Sequence, residues 1–405
     1  MKKKLVVLIA LLLAFSTLFA VPTSAAWEFY ENYNNTPENF AYSFAFVGDT
    51  QVLATLDADT TTLDAGMWWR YDTTDHIGKG YMGMIYDWIL ESKDEKKIAH
   101  VFGLGDIVES RDYVSGGKSA RDEWDAAKAA WSRMDGKISY SMVRGNHDNN
   151  YIYNEYVCYD EYLSQFDGYF SSGVNVGRST YKFLDIAQEK WLLVSLDFAA
   201  RDDVLEWAGE IIKSNPDRRV IITTHQYLAS SSKRTQDGVD TMYPTDLGYN
   251  HGEDIWNKLV RKYENIFMVV CGHGPANPMV LRRAKGDCGN TVYEIMINPH
   301  EYDAGTAPGG FVLMMYFSED GSTFQMEYYS TIQDKYCKLP TTRVKYSEPR
   351  FTEAPETTTV APETTVADDV NTNEEPSGCR AVAIIPALPI TLGVTALAAR
   401  KRKRR

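Results

Sequence analysis

Cysteine is scarce in this chain, with five in 405 residues. None follows the apolar stretch near the N-terminus, which argues against an N-terminal lipid anchor. Cys379 abuts a C-terminal apolar run, and Cys158, Cys271, Cys288 and Cys337 admit three pairings between which the sequence does not choose. Cys271 lies within an apolar run and is expected to be a buried thiol. Basic residues are also short in the body of the chain. Three Lys lie within residues 1–25 and seven Lys or Arg within residues 380–405, leaving 32 bases against all 55 acids in between. A surface with that balance repels a phosphate backbone, so no nucleic-acid-binding module is expected.

The ends carry targeting signals rather than fold. Met1–Lys4 is basic, Leu5–Ala20 is apolar and small residues follow, so residues 1–25 are read as a secretory signal peptide. Residues 26–42 form a polar, aromatic lead-in. Thr, Pro, Glu and Ala dominate residues 341–378, too little apolar surface for a core, and this segment is expected to be a stalk. Residues 379–399 read as a transmembrane anchor and residues 400–405 as a basic cytoplasmic tail. The expected setting is a bacterial cell surface. Length leaves room for one large domain, residues 43–340.

Inside that domain, five apolar runs each stop at polar residues. Ser43–Val47 is followed by Gly48-Asp49, Ile98–Leu104 by Gly105-Asp106, and Ile138–Val143 by Arg144-Gly145-Asn146-His147-Asp148. Arg219–Thr224 is followed by His225, and Ile266–Cys271 by Gly272-His273. Read as strands, they deliver their polar residues to one sheet edge, where ligands of α/β proteins bind. Residues 80–92, 122–134, 204–213 and 253–263 carry apolar residues at helical spacing between these strands, which argues for an α/β sandwich. Tyr293–Ile297, Gly310–Phe317 and Thr323–Tyr329 predict a closing antiparallel β meander. Asp, Asn and His without a thiolate suit Mn, Fe or Zn. Two such cations about 3.5–4 Å apart would activate a water and neutralise charge on a phosphoryl group.

The set GD(49)xQ, GD(106), GNHD(146–148), H(225) and GH(273) resembles the calcineurin-like metallophosphoesterase superfamily, over about residues 43–335. The DTQ opening and the Gly309-Gly310 before the meander resemble a cell-surface branch of it. The resemblance implies a four-layer α/β/β/α sandwich over one or two divalent or trivalent ions, and hydrolysis of an extracellular phosphomonoester or phosphodiester. By motif, Asp106 would bridge the metals, Asn146, His225 and His273 would complete the second site, and Asp49 and Gln51 would belong to the first. His147 would act as the proton donor, with Asp148 orienting its imidazole.

Two positions depart from the pattern. Gln51 stands where the family has His, and Pro275 stands where it has the second His of GHxH. Both belong to the first metal site, which is therefore expected to be weak. They support an alternative, a surface binding module that keeps one metal and has lost turnover. Other candidates are weaker: His251 reads as a loop or helix-cap residue, His76 as part of a solvated loop, His300 as a residue that could approach the metals from the β meander, and Asp197 as structural. The tyrosines of residues 151–170 are either a substrate wall or aromatic packing.

Overall fold

The computed structural model describes residues 29–30, 34–60, 75–109, 119–148, 150–236, 248–274, 279–298 and 308–347. The strands in chain order are β1 (Phe29–Tyr30), β2 (Tyr42–Val47), β3 (Ile98–Gly103), β4 (Tyr140–Met142), β5 (Gly168–Tyr169), β6 (Thr180–Ile186), β7 (Glu189–Ser195) and β8 (Arg219–Thr223). They continue as β9 (Ile266–Cys271), β10 (Met279–Lys285), β11 (Thr291–Ile297), β12 (Phe311–Phe317), β13 (Thr323–Ser330), β14 (Lys335–Cys337) and β15 (Arg343–Lys345). The helices are α1 (Gln51–Asp57), α2 (Tyr81–Ser92), α3 (Ala120–Trp131), α4 (Asn150–Tyr156), α5 (Asp160–Leu163), α6 (Asp202–Ser214) and α7 (Gly252–Lys258).

Two sheets result. The first has the order β1-β14-β13-β12-β2-β3-β4, with β15 also on β13; the second has the order β10-β11-β9-β8-β7-β6-β5. The period-two pleat explains how they stack. On β2, Phe44 and Phe46 point between the sheets, while Ala45 and Val47 point outwards under α2 and α3. On β8, Ile221 points inwards, and Val220 and Ile222 point outwards under α6 and α7. Both faces of the central strands are thus buried, which is why they read as unbroken apolar runs. The layers are helix, sheet, sheet, helix, as the resemblance implies. Phe44, Phe267, Phe317 and Trp191 pack edge to face in the middle layer. Burying each contributes on the order of 2–3 kcal/mol.

The structure departs from the sequence reading in several places. Tyr293–Ile297 is not part of the closing meander. β11 lies parallel to β9, with Tyr293 opposite Met268, and so belongs to the second sheet. The antiparallel meander is β12-β13-β14. Both domain edges extend further than residues 43–340. Phe29–Tyr30 pairs with β14, and Arg343–Lys345 pairs with β13, burying Val344 and Tyr346. Cys158, Cys271, Cys288 and Cys337 are all free thiols. Among the described residues no helix is long and apolar enough to cross a membrane. The expected leader, residues 348–378 of the stalk, the 379–399 span and the basic tail lie outside the described residues.

Candidate metal centre

The parallel strands β2, β3 and β4 of the first sheet and β8 and β9 of the second end on the same side, and the polar residues that follow them meet there. Asp49, Asp106 and His273 each take a left-handed backbone conformation, with φ of 53°, 47° and 70°. Non-glycine residues rarely adopt it, and such positions concentrate at functional sites. Two glycines make room for the carboxylates. A Cβ on Gly145 would run into the Asp106 carboxylate, and one on Gly272 into that of Asp49.

His225 stands at the centre and is fully buried. Its Nδ1–H donates to the Leu104 carbonyl at 2.8 Å, so Nε2 is the atom turned to the site. Around Nε2 lie Asn146 Oδ1 at 3.0 Å, Asp106 Oδ2 at 3.1 Å and His273 Nδ1 at 3.2 Å. The ligand atoms of Asp106, His225 and His273 lie within 4.8 Å of one another. So many lone pairs in a buried space require a positive charge. Burial opposes charging His225, but the Asp106 carboxylate beside it, helped by Asp49, pushes its pKa up to about 9. Burial works against ionising Asp106 too, yet His225 and His147 hold it well below the usual carboxylate range. Asp49 is driven the other way, upwards, by burial and by Asp106, and its carboxylate accepts the His273 backbone N–H at 3.1 Å.

Gln51 opens α1 and is fully buried. Its Nε2 reaches Asp106 Oδ2 at 3.5 Å, while its Oε1 is buried without a hydrogen-bond partner. A buried acceptor left unsatisfied costs on the order of 1–3 kcal/mol. A cation beside it removes that cost, so this oxygen, with the N/O donors around His225, fits a bound metal ion. Pro275 and His300 lie outside the described residues.

His147 sits at the rim with its side chain 28% exposed, and its backbone N–H donates to Asp106 Oδ1 at 2.9 Å. The expected contact with Asp148 is replaced by another. His147 Nδ1 lies 3.3 Å from Glu109 Oε2 and 3.1 Å from the Glu109 carbonyl. Asp148 turns inwards instead. Its carboxylate accepts the backbone N–H groups of Ile107, Val108 and Gly145 at 2.9, 3.1 and 2.7 Å, pinning the β3 turn to the β4 turn. Burial, with Asp106 nearby, pushes its pKa up to about 6. Glu109 is the residue that sequence reasoning missed. Its position three residues after Asp106, in GDIVE, was the available signal.

The remaining candidates have structural places. His251 is the N-cap of α7, and its backbone N–H donates to Asp254. His76 Nδ1 meets the Tyr81 hydroxyl at 2.8 Å. Asp197 accepts from Arg144 Nε at 2.7 Å. Tyr153 of α4 and Tyr162 of α5 are buried in the core, whereas Tyr151, beside the GNHD turn, is 78% exposed.

The family described as calcineurin-like phosphoesterase matches residues 42–277, more than half of the chain. The chain belongs to that family. It is 25% identical over 192 residues to an uncharacterised protein of Bacillus subtilis (strain 168), YvnB. That match covers 46% of this chain and only 13% of YvnB. Among solved structures, a dimetal phosphatase from Danio rerio is similar with a TM-score of 0.47 and 13% identity, over 76% of this chain and 100% of that one. GAP50, the anchor in the inner membrane complex of Plasmodium, is similar with a TM-score of 0.39 and 11% identity, over 77% of this chain and 90% of that one.

Proposed function

We propose that this calcineurin-like phosphoesterase hydrolyses an extracellular phosphomonoester or phosphodiester while exported and tethered to a membrane. The observation that carries the catalytic part is the ring of acceptors around His225 Nε2, joined by the orphaned Gln51 Oε1. Asp106, Asn146, His225 and His273 would hold one Mn, Fe or Zn ion, and Asp49 and Gln51 a second. Bound there, the metal supplies Lewis-acid polarisation of a phosphoryl oxygen and a more acidic water. The chain's own residues do the rest. His147 gives a proton to the leaving oxygen from Nε2, because Nδ1 is engaged by Glu109. Asp148 keeps the two turns that carry Asp106 and His147 in register. Export and tethering rest on the basic-apolar leader and on the apolar run of residues 381–399 closed by Arg400–Arg405.

One observation favours the alternative of a binding module without turnover. Gln51 places an amide oxygen where the family has an imidazole, and a neutral amide is a weaker ligand. The deciding experiment is hydrolysis of an aryl phosphate and an aryl phosphodiester after supplementation with Mn, Zn or Fe. Turnover that disappears in His147→Ala and Asp106→Ala supports the phosphoesterase. A metal-loaded protein that cleaves neither ester would favour the binding module.

A further inference from the structure

The ligands of the better-built half of the centre come from different sheets. Asp106 and Asn146 follow strands of the first sheet, and His225 and His273 follow strands of the second. The two sheets meet through an apolar layer, and apolar contact is non-directional. It keeps them together without fixing their mutual slide to the few tenths of an ångström that a metal site requires. Polar ties at the mouth do fix position. Two of them, His225 to Leu104 and His273 to Asp49, involve the ligands themselves.

A third tie stands outside the ligand set. Arg144, immediately before the GNHD turn, is 4% exposed, and its guanidinium fork has several partners. Nε donates to Asp197 Oδ1 at 2.7 Å, Nη2 to the Phe198 carbonyl at 3.2 Å, and Nη1 to the Gly145 and Asp148 carbonyls at 3.1 and 3.4 Å. Asp197 and Phe198 follow β7 of the second sheet, while Gly145 and Asp148 flank the GNHD turn of the first. The fork therefore crosses the seam. Arg144 also lies over the Phe198 ring, at 5.5 Å from its centroid. The same ring packs against the centre, its centroid 5.7 Å from that of His225 and 6.3 Å from that of His273. Phe198 is itself 1% exposed, so its ring has no freedom to leave.

We propose that Arg144, with Asp197 and Phe198, is a positioning latch. It holds the second-sheet imidazoles of His225 and His273 against the first-sheet oxygens of Asp106 and Asn146. Only a planar fork with several donors meets an acid and three carbonyls at once, so Lys cannot replace it. The inference rests on the reading of this cluster as a metal centre.

The test is a Co(II) titration of the whole chain, followed by calorimetry and by the ligand-field absorption of the bound ion. Arg144→Lys and Phe198→Leu are compared with wild type, and circular dichroism of the cobalt-free proteins reports folding. Both variants are expected to bind Co(II) roughly 10–100-fold more weakly, with a shifted band, as losses behind metal ligands typically cause. Folded variants with wild-type affinity, or weakened binding with an unchanged band, would overturn the latch, because the imidazoles would then be in place without it. Should Arg144→Lys not fold, Phe198→Leu decides by the same two readouts. A wild-type protein that takes up no Co(II) would overturn the metal centre itself, which is a separate outcome.

Discussion

The two halves of the candidate metal centre are built to different standards. Around His225, three side chains from both sheets converge on its Nε2, Leu104 fixes the ring's tautomer, and the Phe198 ring packs edge to face against it. Around Asp49 and Gln51 there is one carboxylate, tied to the His273 backbone, and one amide whose oxygen has no partner. Ligand affinity depends on the support behind the ligand as much as on its identity. The half around His225 should therefore hold its ion tightly and the half around Asp49 and Gln51 loosely.

Removing Asp106 would collapse both halves, since its Oδ2 meets both Gln51 and His225. Asp106→Ala should take metal-dependent hydrolysis to background and strip bound metal, as elemental analysis would report. His147→Ala comes next. A positioned proton donor contributes roughly 10²–10⁴-fold, so kcat should fall by that factor, with less loss for an aryl ester whose leaving group needs no proton. Glu109→Gln should cost about tenfold, as losses of an orienting partner do. It separates Glu109 from Asp148 as that partner. Asp148→Asn should act mainly on stability, seen in the melting temperature.

Proton competition sharpens the comparison further. The Asp106 carboxylate pushes the pKa of His225 up to about 9, so at pH 7 an incoming metal is expected to displace a proton from it. Affinity of the tight site should rise about tenfold per pH unit up to about 9 and then level off. Buffer-dependent calorimetry would report the released proton. The stability of the metal-free fold should run the opposite way. A folded pKa of about 9, above the free imidazole value of about 6.5, adds stability that is fully present below the lower value. That stability is lost as pH rises through the higher one. The smallest effect is expected from Gln51→His, which should tighten only the loose site, by roughly tenfold, and leave the tight one unchanged.

Much of this was legible in the sequence for a physical reason. Each ligand had to follow a buried strand, and several needed a glycine before them so that a carboxylate could approach, as at Gly145 and Gly272. Short apolar runs ending in Gly-Asp or Gly-His announce that arrangement. Strands with an exposed face announced themselves less well. β10 reads MVLRRAK and lies at a sheet edge, where Arg282, Arg283 and Lys285 break up the apolar run. β11 was visible as a strand, but its apolar pattern is the same whichever sheet it joins. Glu109 was hidden because its role comes from a contact with His147, 38 residues away in the chain. Arg144 and Phe198 were hidden likewise. A local motif records which residues bind, and the contacts that hold them are long-range.

The most direct test is a metal titration of the wild-type chain, with stoichiometry from elemental analysis and both dissociation constants from calorimetry. The expected result is one ion retained through dialysis and a second that binds at least about tenfold more weakly. Two ions held with equal affinity would contradict the unequal halves, and no retained ion would contradict the centre altogether.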